Sequence, residues 1–197
     1  FNLGSYTEIF TGSAIGSQNA FVLKQGLKKR HVFIVCLVCA VSDGILISLG
    51  VAGFGTVVKQ FPTIEIVARY GGAAFLTIYA LLSFKSAFTE THALEAEAET
   101  ESSLFTTVAI CLAFTWLNPH VYLDTVILLG SVSTQYHPQQ FQFALGAVIA
   151  SFVFFFSLGF GARVLAPVFE NPKAWKVFEF LVGIIMLALA LSLVANV

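Results

Sequence analysis

An all-α polytopic membrane protein, with about six transmembrane helices arranged as two inverted three-helix repeats, is the fold this sequence predicts. Three observations lead there. The 197-residue chain is 57% hydrophobic and only 11% charged, where an average soluble domain carries roughly 25% charged residues. Its apolar residues gather into six stretches near the length of about 20 residues that crosses a bilayer core as a helix. Threading those stretches alternately through a membrane also collects most Lys and Arg residues on one side.

Taken in order, the first stretch, residues 3–23, is the least apolar. It holds Glu8, several Ser and Thr, and the run Gly16-Ser17-Gln18-Asn19, where the helix is expected to break. The second, residues 32–58, is strongly apolar with one charge, Asp43. The third, residues 66–84, has Arg69 and Tyr70 near one end. The fourth covers residues 104–130, long enough to cross even when bent, and contains Asn118, Pro119, His120, Tyr122 and Asp124. Residues 141–162 are rich in Phe and carry no charge, and residues 177–197 carry only Glu179, at their start.

The loops orient these spans. With the first loop cytoplasmic, Lys24, Lys28, Lys29, Arg30, Lys85, Arg163, Lys173 and Lys176 lie inside, and only Lys59 and Arg69 lie outside. Eight against two is a positive-inside bias. Both termini are then outside if all six stretches cross. Should the first lie in the interface or fold back, the chain has five crossings and a cytoplasmic N-terminus. Position 1 is Phe, so the chain is expected to lack its first residue or residues, and neither the presence nor the absence of a signal peptide is read from it. Pro62, Pro138, Pro167 and Pro172 are read as loop markers.

Residues 85–103 break the apolar pattern with Glu90, Glu95, Glu97, Glu99 and Glu101 among Ala and Thr. This is expected to be a solvated linker with some helical tendency; an acidic patch that concentrates a cation at the entrance is the alternative. It divides one transporter domain, residues 1–197, into pseudo-repeats at about residues 1–84 and 104–197. Setting Asn19 against Asn118 pairs Val22 with Val121; Ser42 and Gly50 have the separation of Ser151 and Gly159, and Gly72 finds Gly183. Three spans per half make the second half enter from the opposite side, as in many secondary transporters whose sites lie between halves at interrupted helices.

The interrupted helices here are the first, at Gly16, and the fourth, at Pro119. Proline has no N–H and its ring crowds the carbonyl four residues back. Such a break is tolerated at membrane depth only where protein or a water-filled cavity satisfies the freed groups. Asp43 lies about 11 residues from the inner end of its span, about 16 Å at helical rise. A carboxylate there is functional by default, against the reading of a satisfied buried Asp that bonds Ser42 or a freed N–H. Asp124 is likewise isolated among apolar residues.

Two such carboxylates suit one task. Each holds a proton or a cationic group, but not both comfortably, because burial favours the neutral, protonated carboxyl whereas a nearby cation favours the ionised one. That competition couples the movement of a cation to that of protons. Gln18, Asn19 and Asn118 offer amide donors and acceptors, and the helix starts created by the breaks favour a substrate carboxylate. Trp116, Tyr122 and Phe21 are candidates to face a cation, with packing or the interfacial aromatic belt as the other reading. His120 and Asp124 have the i, i+4 spacing of a metal pair, but two ligands do not make a site. Cys36, Cys39 and Cys111 are read as small buried hydrophobes. No metal, cofactor or nucleic-acid partner is expected, and no nucleophile, base and orienting partner cluster as in an enzyme. The sequence leaves self-association into a homo-oligomer open.

The chain resembles the lysine exporter family, in its lysine and arginine exporter (LysE/ArgO-type) branch. The resemblance is carried by residues 16–23, GSQNAFVL, followed by Gln25-Gly26; by Ser42-Asp43; by residues 70–76, YGGAAFL; and by residues 117–124, LNPHVYLD. It covers nearly the whole chain, including residues 143–146 and 188–191. One departure is Ser17, where members often have Ala or Pro. The resemblance implies a multi-pass protein of the bacterial inner membrane that expels L-arginine and/or L-lysine, driven by the proton motive force. It also implies that Asp43 and Asp124 are needed for transport. An exporter of another solute, a heavy-metal cation or a neutral amino acid, would keep the same fold.

Overall fold

The computed structural model describes residues 16–53, 62–89 and 103–195, and every element among them is helical. In chain order these are α1 (Ser17–Leu27), α2 (Val32–Val51), α3 (Pro62–Thr89), α4 (Leu104–Trp116), α5 (Pro119–Tyr136), α6 (Gln140–Phe169) and α7 (Pro172–Ala195). α2, the Arg69–Phe88 part of α3, α6 and α7 are each long and apolar enough to cross a membrane. α4 and α5, bent by 59° at their junction, are together long and apolar enough for a fifth, as a broken span or a re-entrant loop. The protein is therefore an all-α polytopic membrane protein. Of the first expected span, residues 3–15 lie outside the described residues; the remainder is α1, which continues past Leu23 to Leu27. The expected sixth crossing therefore lies largely outside the described residues, as does most of the acidic linker.

Short apolar runs become helices here because each has somewhere to place its faces. Exposed apolar side chains such as Phe33, Ile78, Leu81, Val153, Val164 and Leu191 ring the bundle. Hydrocarbon covers a surface of that kind; water would not. Inside, Phe114 is the hub of an aromatic cluster. Its ring centroid lies 5.2 Å from Phe21, 4.8 Å from Phe75 and 4.9 Å from Tyr79, the last two edge to face, a geometry that suits the ring quadrupoles. α1, α3 and α4 are joined through it.

The chain reverses between α1 and α2 through two non-glycine residues with positive φ, Lys29 at 56° and His31 at 49°. α6 then packs across both helices. Where α1 crosses α6, a Cβ on Gly26 would overlap the Gly159 carbonyl and sit 2.6 Å from the Ala162 Cβ; a Cβ on Gly159 would overlap the Cys36 sulfur. Small residues at such a crossing let backbones approach, and the attraction comes from packing where lipid supplies no hydrophobic drive between helices. α7 lies along α3, and α2 also touches α4 and α5.

Three sequence expectations change. Pro167 lies inside α6 rather than in a loop; its missing N–H deletes one bond near the helix end, which the rest of a long helix tolerates. Lys24 is not in the first loop but buried in α1. Glu179, expected at the exposed start of its span, is 0% exposed, because α7 begins earlier, at Pro172. The cysteines are free and buried: Cys36 Sγ donates to the Phe155 carbonyl at 3.2 Å, and Cys39 and Cys111 bring their sulfurs to 3.1 Å.

Candidate functional site

The bend between α4 and α5 follows from one missing donor and its consequences. Pro119 cannot donate to Thr115, so the helix stops at Trp116 and restarts at Pro119 with Asn118 as its N-cap. Asn118 is extended (ψ 107°), and its Oδ1 accepts from His120 N at 3.1 Å. In an unbroken helix that N–H would have gone to the Trp116 carbonyl. Tyr122 repairs the loss: its hydroxyl donates to the Trp116 carbonyl at 2.8 Å. Val121 N donates to the Asn118 carbonyl at 3.1 Å, closing the first turn of α5. Residues Tyr122–Leu128 then continue as a π-helix, a widened turn found mostly at functional sites.

α1 begins in the same manner, with Gly16 extended (ψ 157°) as its N-cap. The two helix starts face one cavity of about 500 Å³, within the range of roughly 300–1,000 Å³ usual for small-molecule sites. Gly16, Ser17, Gln18 and Asn19 line it from α1, Asp43 and Ile47 from α2, and Asn118, His120, Asp124 and Thr125 from the second break. Ala147, Ala150, Ser151, Phe154 and Phe155 of α6 and Leu189 of α7 complete the wall. Of the residues singled out from sequence, Asp43, Asp124, Gln18, Asn19 and Asn118 therefore meet in one place, although Asn19 and Asn118 are 99 positions apart in the chain.

The two acids stand differently. Asp43 is half-buried, and Ser151 Oγ donates to its Oδ2 at 3.1 Å. The Gln18 carboxamide stands beside the same carboxyl, but its Nε2 falls short of a hydrogen bond. Asp124, expected to be hidden like Asp43, is exposed and reaches the cavity from its rim, within the π-helical turn. Tyr122 is not among the lining residues. Its ring lies 6.5 Å from that of Trp116 and its hydroxyl is used at the bend.

Residues 9–197 match the family described as LysE type translocator. The chain belongs to that family. It is 42% identical over 177 residues to Rv0488 of Mycobacterium tuberculosis, a protein named as a candidate amino-acid transporter, covering 90% of this chain and 88% of that one. It is 41% identical over 180 residues to the arginine exporter protein ArgO of Pectobacterium atrosepticum, covering 91% and 88%. ArgO of Salmonella enteritidis is 39% identical over 181 residues, covering 91% and 85%. No solved structure shows a significant match.

In this LysE type translocator, two further cavity residues take their places only through the fold. In the sequence Ser151 is only the repeat partner of Ser42; its role as donor to Asp43 depends on α6 crossing α2. His120, by spacing half of a metal pair, lines the cavity with Nε2 buried and without a partner. Among the described residues no three His, Cys, Asp or Glu side chains come together to hold a metal. For Tyr122 the geometry makes a distinguishing prediction. Tyr122→Phe leaves a carbonyl unsatisfied, worth about 1–3 kcal/mol, and is expected to lower the melting temperature by about 2–12 °C. Its effect on transport should fall on the rate; a rise in KM with unchanged stability would put the hydroxyl on substrate instead.

Proposed function

We propose that this translocator exports basic amino acids, L-arginine and/or L-lysine, from the bacterial cytoplasm across the inner membrane in exchange for protons. The observation that carries this reading is the convergence of Asp43 and Asp124 on one cavity with two helix starts. Asp43 and Asp124 hold the substrate's guanidinium or ammonium in one phase and a proton in the other. The helix starts at Gly16 and Asn118 carry partial positive charge that favours the substrate carboxylate. Gln18, Asn19 and Asn118 orient its amino and carboxyl groups, and Tyr122 acts on the bend. Pro119 keeps the fifth helix separate from the fourth, so that one half rocks against the other. We also read residues 1–84 and 104–197 as inverted pseudo-repeats; the placement of both helix starts at one cavity supports that.

Proton exchange follows from electrostatics. Moving one positive charge outward against an inside-negative potential costs about 2.3 kcal/mol per 100 mV. Cation efflux alone would run the wrong way, and return of at least one proton per substrate removes that opposition. In proteoliposomes loaded with arginine or lysine, efflux is expected to accelerate when protons are offered on the opposite side. Efflux indifferent to the imposed gradient would remove the coupling. Movement of leucine or a divalent metal ion in place of basic amino acids would remove the substrate assignment.

A further inference from the structure

Away from the cavity, α1 and α7 meet at a second polar site. Lys24 is five residues past Asn19, about 8 Å further along α1 at helical rise, and its Nζ lies 2.5 Å from Glu179 Oε1. Lys24 is buried and Glu179 is 0% exposed. The ammonium also faces two rings, 5.6 Å from the Tyr79 centroid and 6.0 Å from that of Trp175. Lys28, one turn nearer the basic loop, lies 5.7 Å from the Trp175 ring. Glu179 precedes the cavity residue Leu189 by ten positions, about 15 Å along α7. The site is therefore on the side of the cavity that the positive-inside bias makes cytoplasmic, and it shares Tyr79 with the aromatic cluster around Phe114.

Holding α1 against α7 does not by itself call for charge, because desolvation offsets the attraction of a buried ion pair and apolar pairs often serve as well. Two further features point to a ligand. Beyond the ion pair of Lys24 with Oε1, neither oxygen of the buried Glu179 carboxylate has a hydrogen-bond partner, and neither has Trp175 Nε1 one turn nearer the cytoplasm. A guanidinium engages both oxygens of a carboxylate at once, and the indole N–H is a donor for a substrate carboxylate. A buried acid flanked by aromatic faces is also the setting that accepts ammonium and guanidinium groups.

We propose that Glu179, with the faces of Tyr79 and Trp175, is an inner binding site for the cationic group of a basic amino acid, and that Lys24 fills it until substrate entering from the cytoplasm takes its place. This rests on the basic-amino-acid reading above. Lys24 acts as a tethered stand-in for substrate, and its displacement frees α1, whose other end lines the cavity.

Opposite responses of the two partners test the site. In inverted membrane vesicles, whose outer face is the cytoplasmic one, Glu179→Gln is expected to raise the KM for arginine or lysine at least tenfold. Lys24→Met, which removes the competitor, is expected to lower it. A clamp without binding function predicts that both substitutions impair transport alike and that the apolar pair Lys24→Met with Glu179→Leu restores it; either result overturns the proposal. Should these variants fail to accumulate, Trp116→Phe leaves Trp175 as the single tryptophan. Its fluorescence is then expected to change saturably with arginine and not with leucine, and an unresponsive signal overturns the proposal. Wild-type vesicles are read first: absence of basic amino acid uptake removes the substrate reading and this site together, whereas wild-type uptake with a clamp-like pattern removes this site alone.

Discussion

Asp43→Asn is expected to lower export about 10- to 100-fold at equal protein level. The substitution keeps the size of the side chain and its ability to accept from Ser151, and it removes only the charge and the titratable proton. A hydrogen bond to a charged partner contributes about 1.5–3 kcal/mol, and each 1.4 kcal/mol is about tenfold. Folding should not suffer, since an uncompensated carboxylate at membrane depth is itself unfavourable. Asp124→Asn is expected to act in the same direction. Ser151→Ala, which deletes one hydrogen bond to the Asp43 carboxylate but keeps its charge and its titratable proton, should reduce export less than either Asp variant. Uptake of labelled arginine or lysine into inverted vesicles measures all three. Wild-type export by both Asp variants would remove the acids from the mechanism.

The largest loss of stability is expected at the crossing of α1, α2 and α6. Gly159→Leu places a Cβ into the Cys36 sulfur and 3.1 Å from Val32 Cγ1. These neighbours are themselves fully packed, as both are buried. Overfilling a packed site costs about 1–3 kcal/mol, and in a chain of this size that is a fall of about 2–12 °C in melting temperature. The upper end is expected here, because both neighbouring helices must move. Gly161→Leu, two residues away with nothing within 4 Å of its added Cβ, is the internal control and should melt with the wild type. Thermal unfolding in detergent followed by size-exclusion chromatography reads the difference. Equal melting of the two variants would show that the crossing is looser than its glycines suggest.

Such crossings also explain what could and could not be read beforehand. Apolar runs carry their own length, so residues 32–58, 66–84, 141–162 and 177–197 marked α2, α3, α6 and α7 with errors only at the ends. Pro119 likewise announces its break, because a missing N–H is a local fact of the chain. Lys24 misled for the opposite reason. A lysine next to Lys28, Lys29 and Arg30 looks like loop, and only Glu179, 155 positions later, makes a place for it inside. Tyr122 misled too: beside Asp124 it looks like a site residue, yet the carbonyl orphaned by the bend claims its hydroxyl.

By itself, then, the sequence determined that this chain lives in a membrane as helices, that the helix through Pro119 cannot run straight, and which family of translocators it belongs to. Those properties depend on composition and on short-range backbone chemistry. Only the tertiary structure decided that Gln18, Asn19, Asp43, Asn118 and Asp124 share a cavity with Ser151 as donor, that Asp124 sits at its rim, and that Lys24 pairs with Glu179. Each of those is a contact between helices distant in sequence, fixed by how closely glycine-bearing faces let the helices approach, and no local pattern in the chain records that distance.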